Sequence, residues 1–123
     1  MSHSILIVDD SAFARRKLRQ VLEGAGYLVE EAASGPEAIE KYSLRKPHAV
    51  LLDIVMEGMD GFEVLGRLRA LDPKANVIVA TADIQSATRD EVFRLGAAGL
   101  LNKPFDPAEV LAAVQRVPER AQE

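Results

Sequence analysis

The run Ser4-Ile5-Leu6-Ile7-Val8-Asp9-Asp10-Ser11 joins an apolar, β-branched stretch to two adjacent carboxylates. Its first half reads as a buried strand. Its second half sets an electrostatic problem. Two carboxylates ~4 Å apart in an intermediate dielectric of ~20 repel by about 4 kcal/mol before screening. A bound cation offsets that repulsion. A turn that leaves both side chains in water avoids it.

Along the rest of the chain, strand-like and helix-like segments alternate. Residues 5–9 form the first strand, and residues 12–24 carry Phe13, Ala14, Leu18, Val21 and Leu22 on one helical face. Gly24 and Gly26 close that helix. Residues 27–31 read as a short strand. Ser34-Gly35-Pro36-Glu37 combines a capping residue, an early proline and a glutamate three positions on. It predicts a helix to about residue 44 that buries Ala38, Ile39 and Tyr42. Residues 48–53 are apolar on both faces and form a third strand. Asp60-Gly61-Phe62-Glu63 opens a helix with Val64, Leu65 and Leu68 inward. Residues 76–80 are a fourth strand, 85–95 a helix stopped by Gly96, and 99–102 a fifth strand. Asp106-Pro107-Ala108-Glu109 starts a last helix through Val110, Leu111 and Val114, ended by Pro118.

Five strands and five helices in alternation predict an α/β fold with a doubly wound parallel sheet, because parallel neighbours need crossover connections. Runs such as VLL and VIV fit strands covered on both faces. The 123 residues suffice for one domain over 1–123, with a core at about 4–117 and no output domain. Hydrophobic residues make up 48% of the chain, enough for a core. Nineteen acids against fifteen bases give a net charge of −4, which argues against nucleic acid or an anionic membrane as partner. Without cysteine, thiol catalysis and thiolate metal sites are excluded. His3 and His48 lie far apart in sequence and form no ligand cluster. No apolar run reaches membrane-spanning length and no signal peptide precedes the first strand, so a soluble cytoplasmic protein is expected.

Open parallel sheets bind ligands beyond the carboxyl ends of their strands. Those ends carry Asp9 and Asp10, then Asp53, Thr81 and Lys103. The three carboxylates make a hard oxygen set suited to Mg²⁺. Each residue also has a plainer reading. Asp9 or Asp10 can cap the following helix, although Ser11 can do so equally. Asp53 can end its strand in solvent, Thr81 can be an ordinary strand residue, and Lys103 a surface lysine. Their joint placement at one sheet edge favours a site.

The motifs ILIVDDS, LLDIVMEGMDGFEVL, VATAD and LNKPF stand in order at these strand ends. By them the chain resembles the receiver domains of two-component response regulators, from about residue 4 to 117. The resemblance implies the flavodoxin-like strand order 2-1-3-4-5, of which chemotaxis receivers are a standing example. It implies that Asp53 accepts a phosphoryl group from a sensor histidine kinase or phosphotransfer protein. It implies that Asp9, Asp10, Asp53 and the backbone carbonyl of Val55 hold Mg²⁺, and that Thr81 and Lys103 contact the phosphoryl group. A cis bond at Lys103-Pro104 belongs to the same pattern. The implied partner is a separate output protein, met by a monomer or a weak phosphorylation-dependent dimer. Arg89, Arg94, Leu100 and Glu109 are candidates for the readout face.

Some positions depart from the family pattern. Leu100 stands where Tyr or Phe is frequent, and Glu57 where Pro is common. Val55 and Asp83 occupy positions that tune water access in the family, and an apolar Val55 predicts slow self-dephosphorylation. A Mg²⁺-dependent phosphatase of haloacid dehalogenase type is the alternative. It needs a second aspartate two residues after the nucleophile, where Val55 stands. A flavin carrier of similar fold fits less well, since Asp9 and Asp10 repel phosphate.

Overall fold

The structure is a computed structural model that describes residues 3–118 except 57, 59, 83 and 84. The elements alternate as β1 (Ser4–Val8), α1 (Ala12–Gly24), β2 (Leu28–Ala32), α2 (Gly35–Arg45) and β3 (Ala49–Asp53). They continue as α3 (Gly61–Leu71), β4 (Val77–Thr81), α4 (Ser86–Arg94), β5 (Gly99–Asn102) and α5 (Pro107–Arg116). All four strand pairings are parallel, and the order is β2-β1-β3-β4-β5, as the resemblance implied. Asp9 falls one residue outside β1, while Ala32 and Thr81 extend β2 and β4 beyond their expected ends.

Alternate strand residues feed opposite layers, because successive side chains leave a strand on opposite faces. Leu6, Val8, Val50, Leu52, Val77 and Val79 pack in one cluster with Tyr42 of α2 and Val64, Leu65 and Leu68 of α3. Ile5, Ile7, Leu51 and Ile78 pack in the other with Leu18 and Leu22 of α1 and Val110 and Val114 of α5. Burial on both faces explains why β3 and β4 are apolar up to their last residues, Asp53 and Thr81, rather than alternating.

The helix starts follow the capping residues. Ser34 accepts from the amide of Glu37, and Asp60 from that of Phe62. Asp106 and Glu109 form a reciprocal capping box. At the end of α1 the cap is Ala25, and Gly26 takes the left-handed backbone at φ 96°. One expected core residue is misplaced: Phe13 is 67% exposed. It lies in the first turn of α1, ahead of the Leu18 and Leu22 contacts that bury the helix. Ile39 and Leu111 pack at the core margin rather than inside it.

Candidate functional site

The parallel pairing brings the predicted strand ends to one edge. Val8 lies opposite Leu52, Asp53 opposite Ala80, and Thr81 opposite Asn102. Asp9, Asp53, Thr81 and Lys103 therefore converge from four strands that are distant in sequence. Asp9, Asp53 and Thr81 are buried, Lys103 is half-buried and Asp10 is exposed.

One oxygen from each of Asp9, Asp10 and Asp53 lies within 4.8 Å of the others. The repulsion between Asp9 and Asp10 is thus intensified, because a third carboxylate joins the pair. Ser11, not an aspartate, caps α1 through its Oγ, which accepts the Ala14 amide at 3.2 Å. Capping of α1 therefore does not account for either acid. The Ser11 amide donates to Oδ1 of Asp9 at 2.9 Å and orients that carboxylate. The Val55 amide donates to Oδ1 of Asp53 at 3.0 Å, folding the chain after β3 back over the acid.

Lys103 answers part of the repulsion. Its Nζ is 3.3 Å from Asp53 Oδ2 and 3.6 Å from Asp9 Oδ2. The bond between Lys103 and Pro104 is cis, as expected, and the Lys103 amide donates to the Thr81 carbonyl at 2.8 Å. One ammonium does not balance three carboxylates. Burial pushes the Asp9 carboxyl above its ordinary value; the Ser11 amide and Lys103 oppose that shift, and Asp53 and Asp10 add to it. A surplus of hard, partly desolvated oxygens is the donor set that a divalent cation such as Mg²⁺ requires. The residues present fit that ion.

A cavity of about 610 Å³ opens beside the acids, lined in part by Asp53, Ala80, Ala82, Lys103 and Phe105. The alanines supply little bulk there, so the approach to Asp53 stays clear. Close backbone packing shapes the other wall: a Cβ on Gly61 would stand 2.1 Å from Cα of Ile54. Gly61 at the start of α3 is therefore what lets the chain after Asp53 lie flat.

Of the proposed readout residues, Arg89 and Arg94 are exposed, and Arg94 pairs with Glu91. Glu109 is engaged in the α5 cap, and Leu100 packs against the core cluster under α3 and α4. Glu57 and Asp83 lie outside the described residues. Sequence reading overlooked Arg15, whose Nη1 donates to the Asp9 carbonyl at 2.7 Å. The available signal was a pair of arginines, Arg15 and Arg19, one helical turn apart and near a glutamate ending the adjacent strand.

The strand order β2-β1-β3-β4-β5, with an acidic cluster and a lysine at the carboxyl edge, defines the class as a flavodoxin-like α/β fold with a candidate site at its switch point. The response regulator receiver domain family matches residues 5–115, and the chain belongs to that family. The chemotaxis protein CheY of Thermotoga maritima is 41% identical over 118 residues, spanning 95% of this chain and 98% of that protein. Chemotaxis protein CheY4 of Vibrio cholerae has a structure similar to this one at TM-score 0.91, with 32% identity over 96% of this chain and all of that one. CheY in the CheX–CheY–BeF3–Mg²⁺ complex of Borrelia burgdorferi gives TM-score 0.90 at 35% identity, over 94% of this chain and 88% of that one. These likenesses do not support the phosphatase alternative. Among the described residues, no helix is long and apolar enough to cross a membrane.

Proposed function

We propose that Asp53 accepts a phosphoryl group from the phosphohistidine of a sensor kinase or phosphotransfer protein, in a Mg²⁺-dependent reaction. The modified chain then changes its affinity for a separate partner protein. The observation that carries this reading is the packing of three carboxylates within 4.8 Å beside the Lys103 ammonium. The Borrelia complex, which holds BeF3 and Mg²⁺, supports it. The Borrelia complex, in which CheY is found with a second protein, CheX, supports action through a separate partner. The cytoplasm is the proposed compartment.

In the proposed step, an oxygen of Asp53 attacks phosphorus in line. A new O–P bond forms, the N–P bond of the donor histidine breaks, and the imidazole leaves with the electron pair. Such transfers run on positioning and charge stabilisation rather than on acid–base chemistry. Bound to Asp9, Asp10, Asp53 and the Val55 carbonyl, Mg²⁺ would supply positive charge to one phosphoryl oxygen. Lys103, already beside Asp53, pairs with another, and the Thr81 hydroxyl donates to a third. The Val55 amide holds the nucleophile through its other oxygen.

Phosphorylation adds about −1.5 to −2 units of charge and new acceptors at this edge. Lys103 exchanges its carboxylate contacts for phosphoryl contacts, and Thr81 is drawn inward. Both pull on the chain after β4 and β5, which changes the α4–β5–α5 face. Leu100 of β5, packed against the core cluster beneath α4, has no aromatic ring, so the change is carried by the loops and not by a ring rotation.

The test is phosphoryl uptake from a labelled phosphohistidine domain. About one phosphate per chain is expected with Mg²⁺, and none with EDTA or in Asp53→Asn. Equal labelling of Asp53→Asn at the same site would sink the assignment. Many phosphates released per chain from simple phosphate esters would favour a phosphatase instead.

A further inference from the structure

We infer that Arg15 and Glu31 are positioning residues for Asp9: together they clamp its main chain so that its carboxylate meets the metal. The inference rests on the Mg²⁺ reading above and concerns residues to which that reading gives no part.

Asp9 is the first residue beyond β1. Its amide still donates to the Ala32 carbonyl of β2 at 3.1 Å. Its carbonyl accepts Nη1 of Arg15 at 2.7 Å. Both main-chain groups of a prospective metal ligand are thereby held. The side chain is then aimed by the Ser11 amide, so the whole residue has little freedom left.

Arg15 can do this because it is itself held. Its Nε donates to Glu31 Oε1 at 2.8 Å, and its side chain is only 17% exposed. Glu31 is gripped in turn: its Oε2 accepts Nε of Arg19 at 2.6 Å, and its carbonyl accepts Lys41. A guanidinium is a rigid planar fork, so fixing Nε on Glu31 fixes the direction of Nη1 toward Asp9. A lysine reaches one of these oxygens at a time and transmits no such direction.

The contact falls on the carbonyl and not on the carboxylate. Arg15 therefore orients Asp9 without competing for the oxygens that a cation needs. Groups that orient metal ligands typically change affinity by about 10–100-fold when removed. Acting through the main chain, Arg15 belongs at the lower end of that span.

A bland salt bridge on the α1 surface would stabilise the fold and leave the metal unaffected. Arg19 separates the two cases, because it grips the same glutamate without touching Asp9. Mg²⁺ binding is measured by calorimetry on the full chain, with thermal unfolding recorded in EDTA. Arg15→Met is expected to weaken Mg²⁺ about tenfold, and Arg19→Met by less than about twofold. Glu31→Gln should weaken it in the same direction, and the double variant Arg15→Met/Glu31→Gln should be no worse than Arg15→Met alone. Arg15→Lys should not restore parental affinity.

An Arg15→Met protein that binds Mg²⁺ as tightly as the parent overturns the inference, as does an equal loss in Arg19→Met. Should Arg15→Met fail to fold, Glu31→Gln decides: unchanged affinity there overturns it. If the parent itself binds no Mg²⁺, the metal reading fails. The clamp is then judged by hydrogen exchange at the Ser11 amide. Faster exchange in Arg15→Met than in Arg19→Met sustains it, and equal exchange overturns it.

Discussion

The ammonium of Lys103 lies 3.3 Å from Oδ2 of Asp53, and it also reaches Asp9 at 3.6 Å. The cation just beyond β5, the acid ending β3 and the acid just beyond β1 thus neutralise one another in part before any ion or phosphoryl group arrives. Removing the lysine leaves two buried acids facing each other. Lys103→Met should cost the metal-free protein about 1–3 kcal/mol, between the worth of an exposed pair and that of a broken buried one. Mg²⁺ should recover part of that loss. Urea unfolding with EDTA and with Mg²⁺ measures both, and equal stability in EDTA would show that the pair is energetically idle.

Asp9 opposes folding at neutral pH when no cation is present. Burial raises its carboxyl above the ordinary value, so the folded chain holds that proton more tightly than the unfolded chain. Stability from this group is complete below the ordinary carboxylate range and is lost as pH rises through the raised value. Asp9→Asn should therefore raise the melting temperature of the metal-free protein at pH 7. The same change should abolish the additional stabilisation by Mg²⁺. A lower melting temperature in EDTA would contradict the first expectation.

Glu31 has the opposite sign. The Arg19 hydrogen bond, with help from Arg15, holds its carboxyl below the ordinary range against the opposing effect of burial. Its contribution is present above its ordinary value and fades as pH falls through the lowered one. Glu31→Gln should thus be destabilising at pH 7, with the difference from the parent shrinking toward pH 3. Parallel stability curves across that range would show that the ion pairs do not drive it.

Gly61 has no room for a side chain. A methyl group there meets the Ile54 backbone, and its own amide bonds the Ile54 carbonyl at 3.1 Å. Gly61→Ala should destabilise the fold by about 3 kcal/mol and slow phosphoryl uptake, because the chain following Asp53 must move. Unfolding in urea and the rate of labelling test the two effects separately. Parental values in both would show that the loop relaxes freely.

Val55 places an apolar side chain, 71% exposed, two residues after Asp53. It has no group with which to orient an attacking water. The phosphorylated chain should therefore decay slowly, and Val55→Asn should shorten its lifetime. Decay within a few seconds in the parent, without a phosphatase, would contradict this.

Much of the fold was readable from local chemistry. Ser34, Asp60 and Asp106 announced helices because a capping oxygen satisfies free amides in its own vicinity. VLL and VIV announced strands covered on both faces. The candidate site was readable as well, since strand ends in a parallel sheet share one edge. The failures have a common cause. Phe13 has the spacing of a buried residue, but it lines the cavity beside the start of α5 instead of entering the core, and that placement is set by how α1 and α5 pack. The Arg15–Asp9 contact depends on the angle at which α1 leaves β1.

Residue order alone settled which groups carry charge, the order and type of the elements, and that acids, a hydroxyl and an amine stand at or just beyond the ends of four of the five strands. Those properties come from interactions within a few residues of one another. The 4.8 Å gathering of Asp9, Asp10 and Asp53, the sharing of Lys103 between two acids, and the grip of Arg15 on Asp9 arose only on folding. Each joins separate elements, and such distances follow from how whole layers pack.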